Sequence, residues 1–145
     1  LNTLIREFNE NFSTQMKEAG CVVRIDYSPE DIYLPLDPFR IEQVLTNLYS
    51  NIIKYAPGEP VDIKVARTEK YACFSVRDHG KGISKDQQSR IFDRFERIDS
   101  PELISGLGLG LYICREIMTL HNGSISLESA PGDGAKFLVK IPLTQ

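Results

Sequence analysis

The segment from Asp37 to Gly58 is punctuated at both ends by its own chemistry. Asp37-Pro38 places a capping carboxylate before a residue suited to a first helical turn. Pro57-Gly58 stops the helix after Ala56. Between them Ile41, Val44, Leu45, Leu48 and Ile52 recur in steps of three and four, which predicts one long amphipathic helix. Such a helix must bury its apolar stripe against a partner layer. Alternating runs supply one: Val61, Ile63 and Val65, then Ala72, Phe74 and Val76 across a turn at Thr68-Glu69-Lys70. Ile125 and Leu127, then Phe137, Val139 and Ile141, flank a second reversal at Pro131-Gly132-Asp133-Gly134.

The other segments complete the order. Leu1, Leu4, Ile5, Phe8, Phe12 and Met16 form one face of a first helix that Gly20 stops, and nothing local caps its start. The chain therefore reads as cut from something longer. Extended runs are expected at Cys21–Tyr27 and Ile32–Leu36. Ser84 is placed to cap a short helix through Phe92, a loop covers 93–107, and a last helix runs from Gly108 to Leu120 with Leu111, Cys114, Ile117 and Met118 inward. The expectation is an α/β two-layer sandwich, a mixed and mainly antiparallel sheet covered on one face by three main helices. At 145 residues the chain is one domain, 1–145.

Composition removes several classes of function. Seventeen basic residues against 20 acidic ones leave a net charge of −3, which is no footprint for a nucleic acid. No apolar run approaches the roughly 18 residues of a membrane span, and no signal peptide is visible, so the expected location is cytoplasmic. Cys21, Cys73 and Cys114 are odd in number and far apart, which speaks for buried small hydrophobes rather than a disulfide or zinc site.

Three constellations could carry chemistry. On the Asp37–Ala56 helix, Arg40, Gln43, Asn47, Asn51 and Lys54 fall in a stripe about 80° wide beside the apolar one. It suits either a hydrated helix face or a site in which Asn oxygens meet a hard cation and Lys54 a phosphate. Asp78-His79-Gly80-Lys81-Gly82-Ile83 follows a strand; it is either a simple turn or a place where glycines admit a flat ligand and Asp78 accepts from an amine. Gly106-Leu107-Gly108-Leu109-Gly110-Leu111 opens a helix, as a hinge or as a phosphate cradle of free N–H groups. It matches neither a Walker motif nor a dinucleotide fingerprint.

Taken in order, these motifs resemble the nucleotide-binding domain of sensor histidine kinases, within the superfamily that includes gyrase, the Hsp90 chaperones and MutL. The resemblance covers nearly the whole chain. Asn47-Leu-Tyr-Ser-Asn51-Ile-Ile-Lys54-Tyr55 is similar to the N box, and Asp78 to Ile83 to the first glycine box. Ile91-Phe92-Asp-Arg-Phe95 is similar to the F box, Gly106 to Leu111 to the second glycine box, and Gly132 to Phe137 to the closing glycine turn.

That resemblance implies a Bergerat-type ATP-binding fold, with ATP and Mg²⁺ as ligands. Asn51 would ligate the metal, Asn47 support metal or triphosphate, Lys54 reach a phosphate and Tyr55 lie against adenine. Asp78 would accept from the adenine amine, with Gly80, Gly82 and Ile83 beside the ring. Arg97 would meet the γ-phosphate; Gly106, Leu107, Gly108, Leu109 and Gly110 would frame the triphosphate below a short lid from Arg97 to Ser105. Phe92 and Phe95 would anchor that lid. Leu107 stands where the family usually carries a small hydroxyl residue.

Asn47 stands where hydrolytic members carry a glutamate base, and an amide cannot take a proton from water. The resemblance thus implies transfer of the γ-phosphoryl group to a histidine. His79 and His121 lack the acceptor context, so the acceptor belongs to an adjoining dimerisation domain outside this chain. The implied partners are that domain and a downstream response regulator. The isolated domain is expected to be a monomer, the full-length kinase a homodimer, membrane-anchored or not. A serine kinase of the anti-sigma-factor type and a degenerate nucleotide-sensing module are the alternatives.

Overall fold

The computed structural model describes residues 1–93 and 110–144. Chain order is α1 (Asn2–Glu18), β1 (Val23–Asp26), α2 (Pro38–Tyr55), β2 (Val61–Arg67), β3 (Tyr71–Asp78), α3 (Lys85–Gln88), α4 (Gly110–Leu120), β4 (Ser124–Ser129) and β5 (Ala135–Pro142). The five strands form one sheet in the order β1-β2-β3-β5-β4. β1 and β2 are parallel, as the α2 crossover between them requires, and every other pair is antiparallel. The two-layer, mixed and mainly antiparallel sandwich anticipated above is the observed fold.

One face of the sheet builds the core. Val61, Ile63 and Val65 on β2, Ala72, Phe74 and Val76 on β3, and Phe137, Val139 and Ile141 on β5 are all buried. Against them lie Ile41, Val44, Leu45, Leu48 and Ile52 of α2 and Leu111, Cys114, Ile117 and Met118 of α4. α1 joins through an aromatic triangle. Phe8 and Phe12 stack at 5.4 Å, and each meets Tyr49 of α2 edge-on at 5.0 and 5.4 Å. Burying a ring of this kind contributes about 2–3 kcal/mol. The Tyr49 hydroxyl donates to Asn9 Oδ1 at 3.2 Å, and burial pushes its pKa up.

Three local expectations change. Ile32–Leu36 is not a strand, although Ile32 is buried; this stretch carries Pro35 and runs into α2 without a strand partner. The helix capped by Ser84 ends at Gln88 rather than Phe92, because turns closed by Arg90 N–H and Asp93 N–H replace it. The start of α1 is capped from afar: Asp31 Oδ1 accepts from Asn2 N–H at 2.9 Å, and Oδ2 from Thr3 Oγ1 at 2.6 Å. The Thr3 bond leads the causes that hold the Asp31 carboxyl well below the usual carboxylate range. All three cysteines are buried and unbridged. Among the described residues no helix is long and apolar enough to cross a membrane.

Candidate functional site

α2 ends beside the last residue of β3, and a pocket opens between them. Asn51 and Tyr55, one turn apart on α2, line it with Asp78 at the end of β3, with Lys81, Gly82 and Ile83 after it, and with Ala135 and Phe137 at the start of β5. It holds about 400 Å³ of unfilled space, its open mouth included.

α2 is aimed by its cap. Asp37 Oδ1 accepts from Phe39 N–H at 3.0 Å and Arg40 N–H at 3.4 Å. The Asp37 N–H donates to His121 Nε2 at 3.0 Å, while His121 Nδ1 meets the Ile117 carbonyl at 2.9 Å. The buried His121 ring thus joins the start of α2 to the end of α4. Burial pushes the nearby Cys114 thiol up to about 12, its Sγ lying 3.9 Å from Val44 O.

Asp78 is held as an acceptor. Its Oδ1 takes two backbone donors, Gly80 N–H at 2.9 Å and Ala135 N–H at 3.2 Å. Among the described residues nothing bonds to Oδ2. One oxygen fixes the carboxylate and the other is left for a donor from outside.

The pocket floor is fastened behind Ile83. Ser129 Oγ accepts from Ile83 N–H at 2.8 Å and donates to Gly134 O at 2.6 Å. Gln88 Nε2 donates to both Ile83 O (2.7 Å) and Ser129 O (2.8 Å). Phe92 packs edge-on against Phe137 with ring centres 6.2 Å apart. Two glycines are demanded by the protein's own backbone. Gly82 has φ +76°, and a Cβ there would lie 2.1 Å from Ala130 O; Gly134 has φ +74°, and a Cβ would lie 2.2 Å from Asp78 O. No side chain fits either place. At Gly80 the nearest atom to a Cβ would be that of Ala56, at 2.8 Å.

The structure gathers Asn51, Tyr55, Asp78, Gly82 and Ile83 around one pocket, with Gly80 bonded to Asp78. It does not place Asn47 or Lys54 among the residues lining that pocket. The Asn47 amide instead donates to Gly110 O at 3.2 Å, tying α2 to the first turn of α4. Lys54 is exposed on α2. Arg97, Gly106, Leu107, Gly108 and Leu109, together with Phe95, lie outside the described residues. Lys81, Ala135, Phe137 and the fastening pair Ser129 and Gln88 were missed. Alternation marked Phe137 as a core position, and only the β3–β5 register shows that it also walls a pocket. Among the described residues no cluster of three His, Cys, Asp or Glu side chains could hold a metal.

A sequence profile described as histidine kinase-, DNA gyrase B-, and HSP90-like ATPase matches residues 36–145. The chain is 35% identical over 146 residues to the sensor histidine kinase RppB of Synechocystis sp., covering 99% of this chain and 32% of that protein. It is 33% identical over 147 residues to the sensor histidine kinase MtrB of Mycobacterium tuberculosis, covering 100% of this chain and 26% of that protein. The chain thus spans about a quarter to a third of the length of these relatives. The solved catalytic domain of histidine kinase ThkA superposes with a TM-score of 0.88 at 31% identity, over 100% of this chain and 95% of that one. ThkA in complex with response regulator protein TrrA gives 0.83 at 29% identity, over 99% of this chain and 40% of that one.

Proposed function

Since the chain belongs to the family of histidine kinase-, DNA gyrase B- and HSP90-like ATPases, we propose that it is the catalytic, ATP-binding unit of a longer sensor histidine kinase. It binds Mg²⁺-ATP and presents the γ-phosphoryl group to a histidine on an adjoining dimerisation domain. The observation that carries this reading is Asp78, its Oδ1 locked by two backbone donors and its Oδ2 facing no described partner, in a pocket walled by Tyr55, Ile83, Ala135 and Phe137. A carboxylate so held accepts from the exocyclic amine of adenine, and the apolar walls take the ring's faces.

The phosphate side follows from the same arrangement. Asn51 lines the same pocket one turn before Tyr55, which puts its amide within the site that would take the nucleotide. Magnesium fits this donor set, because it takes one or two protein oxygens and completes its shell with phosphate oxygens and water. When bound it would neutralise charge on the phosphates. Lys54 on the same helix, with Arg97 and the Gly106–Gly110 run, would meet the phosphates themselves. Asn47 holds Gly110 and offers no proton acceptor for water. That favours transfer to a protein nucleophile, with the acceptor imidazole attacking the γ-phosphorus as ADP leaves.

Neither histidine here suits the acceptor role. His121 has both ring nitrogens engaged in the interior, and His79 is paired with Asp62. This supports an acceptor on an adjoining domain, which the proposal assigns to a homodimeric full-length protein. By the ThkA–TrrA precedent, a response regulator is the downstream partner.

Calorimetric titration of ATP, ADP and GTP with and without Mg²⁺ tests the site. Adenine nucleotides should bind and GTP should not. Asp78→Asn should weaken ADP by about ten- to a hundredfold, since the amide keeps an oxygen for Gly80 and Ala135 and turns a donor toward the adenine amine. Unchanged affinity in that variant would remove Asp78 from the site. Mixing the chain with a histidine-bearing hairpin and radiolabelled ATP then tests the transfer.

A further inference from the structure

His79 follows Asp78 directly, yet its ring turns away from the pocket. Its Nε2 lies 2.7 Å from Asp62 Oδ2 on β2. The last rung of the β2–β3 ladder pairs Val61 with Asp78, so His79 reaches back past that rung to the open face of the sheet. Asp62 is gripped from its other side by Arg24 of β1, with Nε to Oδ1 at 2.7 Å and Nη2 to Oδ2 at 3.0 Å. This is the two-pronged geometry that holds a carboxylate in one orientation.

The chain of contacts continues into the site. His79 is joined by its peptide bond to Gly80, whose N–H donates to Asp78 Oδ1. On its other side the same loop has no slack, because a Cβ on Gly134 would lie 2.2 Å from Asp78 O and 3.0 Å from His79 Cα. The loop is thus pinned by the turn before β5 on one side and by the His79–Asp62 contact on the other. Arg24, Asp62, His79, Gly80 and Asp78 form one connected path from the sheet edge to the pocket carboxylate.

Among the described residues, a groove on the open face of the sheet gathers Arg24, Asp26, Asp62, Lys64, Arg77 and Lys136. Asp62 faces the His79 ring, and Arg24 and Arg77 flank Asp62 in register on β1 and β3. Lys136 of β5 lies beyond Arg77, and Asp133 belongs to the turn that carries Gly134. α2 and α4 pack on the opposite face of the sheet. The His79 bond leads the causes that hold the Asp62 carboxyl below the usual carboxylate range, with Arg24 adding to it.

We propose that His79 is a positioning residue for the nucleotide site: its bond to the Arg24-gripped carboxylate of Asp62 sets the His79–Gly80 peptide, and through the Gly80 N–H the orientation of Asp78, so that nucleotide affinity depends on the His79–Asp62 bond. The proposal rests on the reading of Asp78 as the adenine acceptor. A hydrogen bond to an ionised carboxylate is stronger than one between neutral groups, so its loss loosens the loop and weakens binding. The pair is half-exposed, which limits the effect to about two- to fivefold in affinity.

The test titrates ADP at fixed magnesium into the wild-type chain, His79→Ala, His79→Gln and Asp62→Ala. Gln keeps a donor for Asp62 and Ala does not. The expected result is a two- to fivefold loss of affinity in His79→Ala and Asp62→Ala, most of it recovered in His79→Gln. Wild-type affinity in His79→Ala, or no recovery in His79→Gln, overturns the positioning role. A loss in His79→Ala with none in Asp62→Ala overturns the Asp62 link. Failure of the wild type to bind ADP overturns the nucleotide reading itself, and this inference with it.

Discussion

Gly82→Ala and Gly58→Ala form a matched pair that isolates steric overlap from backbone preference. Both glycines hold left-handed dihedrals, φ +76° at Gly82 and φ +79° at Gly58. An alanine in that region costs about 1–2 kcal/mol, partly offset by the smaller entropy of its unfolded chain. At Gly58 nothing lies within 4 Å of the new Cβ, so a net loss of about 1 kcal/mol is all that should appear. At Gly82 the Cβ falls 2.1 Å from Ala130 O and 2.9 Å from Ala130 C. The overlap exceeds 1 Å against backbone that has no rotamer to change, so the turn must move. Overpacking of this kind costs about 1–3 kcal/mol. Displacement also strains the 2.7 Å bond from Gly132 N–H to Lys81 O, worth about 1 kcal/mol. Gly82→Ala should therefore lose about 3–5 kcal/mol. The chain has no tryptophan, so urea unfolding is followed by circular dichroism without nucleotide. Equal losses in midpoint at unchanged slope for the two variants would refute the overlap argument and return Gly82 to a role in admitting ligand only.

Ser129→Ala removes one hydroxyl that serves two backbone groups, and should cost about 2 kcal/mol in urea unfolding while weakening nucleotide binding through Ile83. Ser129→Thr, which keeps the hydroxyl on a strand, should recover most of both. The Cys114 thiol is raised from 9.0 to about 12 in the folded chain. Its contribution is whole below about pH 9 and is lost as pH rises toward 12, because only the unfolded thiol ionises there. Stability measured from pH 8.5 to 10 should fall in the wild type, and Cys114→Ala should flatten that slope.

The elements that sequence reading placed well are those whose signals are local. Asp37-Pro38 caps α2 as expected, and the alternation of β2, β3 and β5 gives both the strands and their buried face. What could not be read depends on partners far along the chain. The cap of α1 comes from Asp31, and the Gln88 side chain at the end of α3 is tied to Ser129 of β4. The same holds in the site. Asn51 and Asp78 stand out by residue type and spacing and Tyr55 by the family resemblance, whereas Ala135 and Ser129 enter only through the register of β5 with β3 and β4. Asn47 was singled out for phosphate or metal, but its contact with Gly110 depends on how two helices pack.

The parallel pairing of β1 with β2 has a consequence for how the chain assembles. Val23 and its partner Val61 are 38 residues apart, whereas Arg67 and Ala72 across the β2–β3 turn are five apart. Loop closure alone makes the first pairing about 2 kcal/mol less favourable than the second. At synthesis rates of roughly 5–20 residues per second, β1 leaves the ribosome about 2–8 s before its partner exists. Throughout that interval it is an edge with nothing to pair to. Its four residues alternate, with Arg24 and Asp26 outward between Val23 and Ile25. Opposite charges two residues apart on a strand this short make a poor template for another chain. The arginine that later grips Asp62 thus first serves to keep the waiting strand solitary.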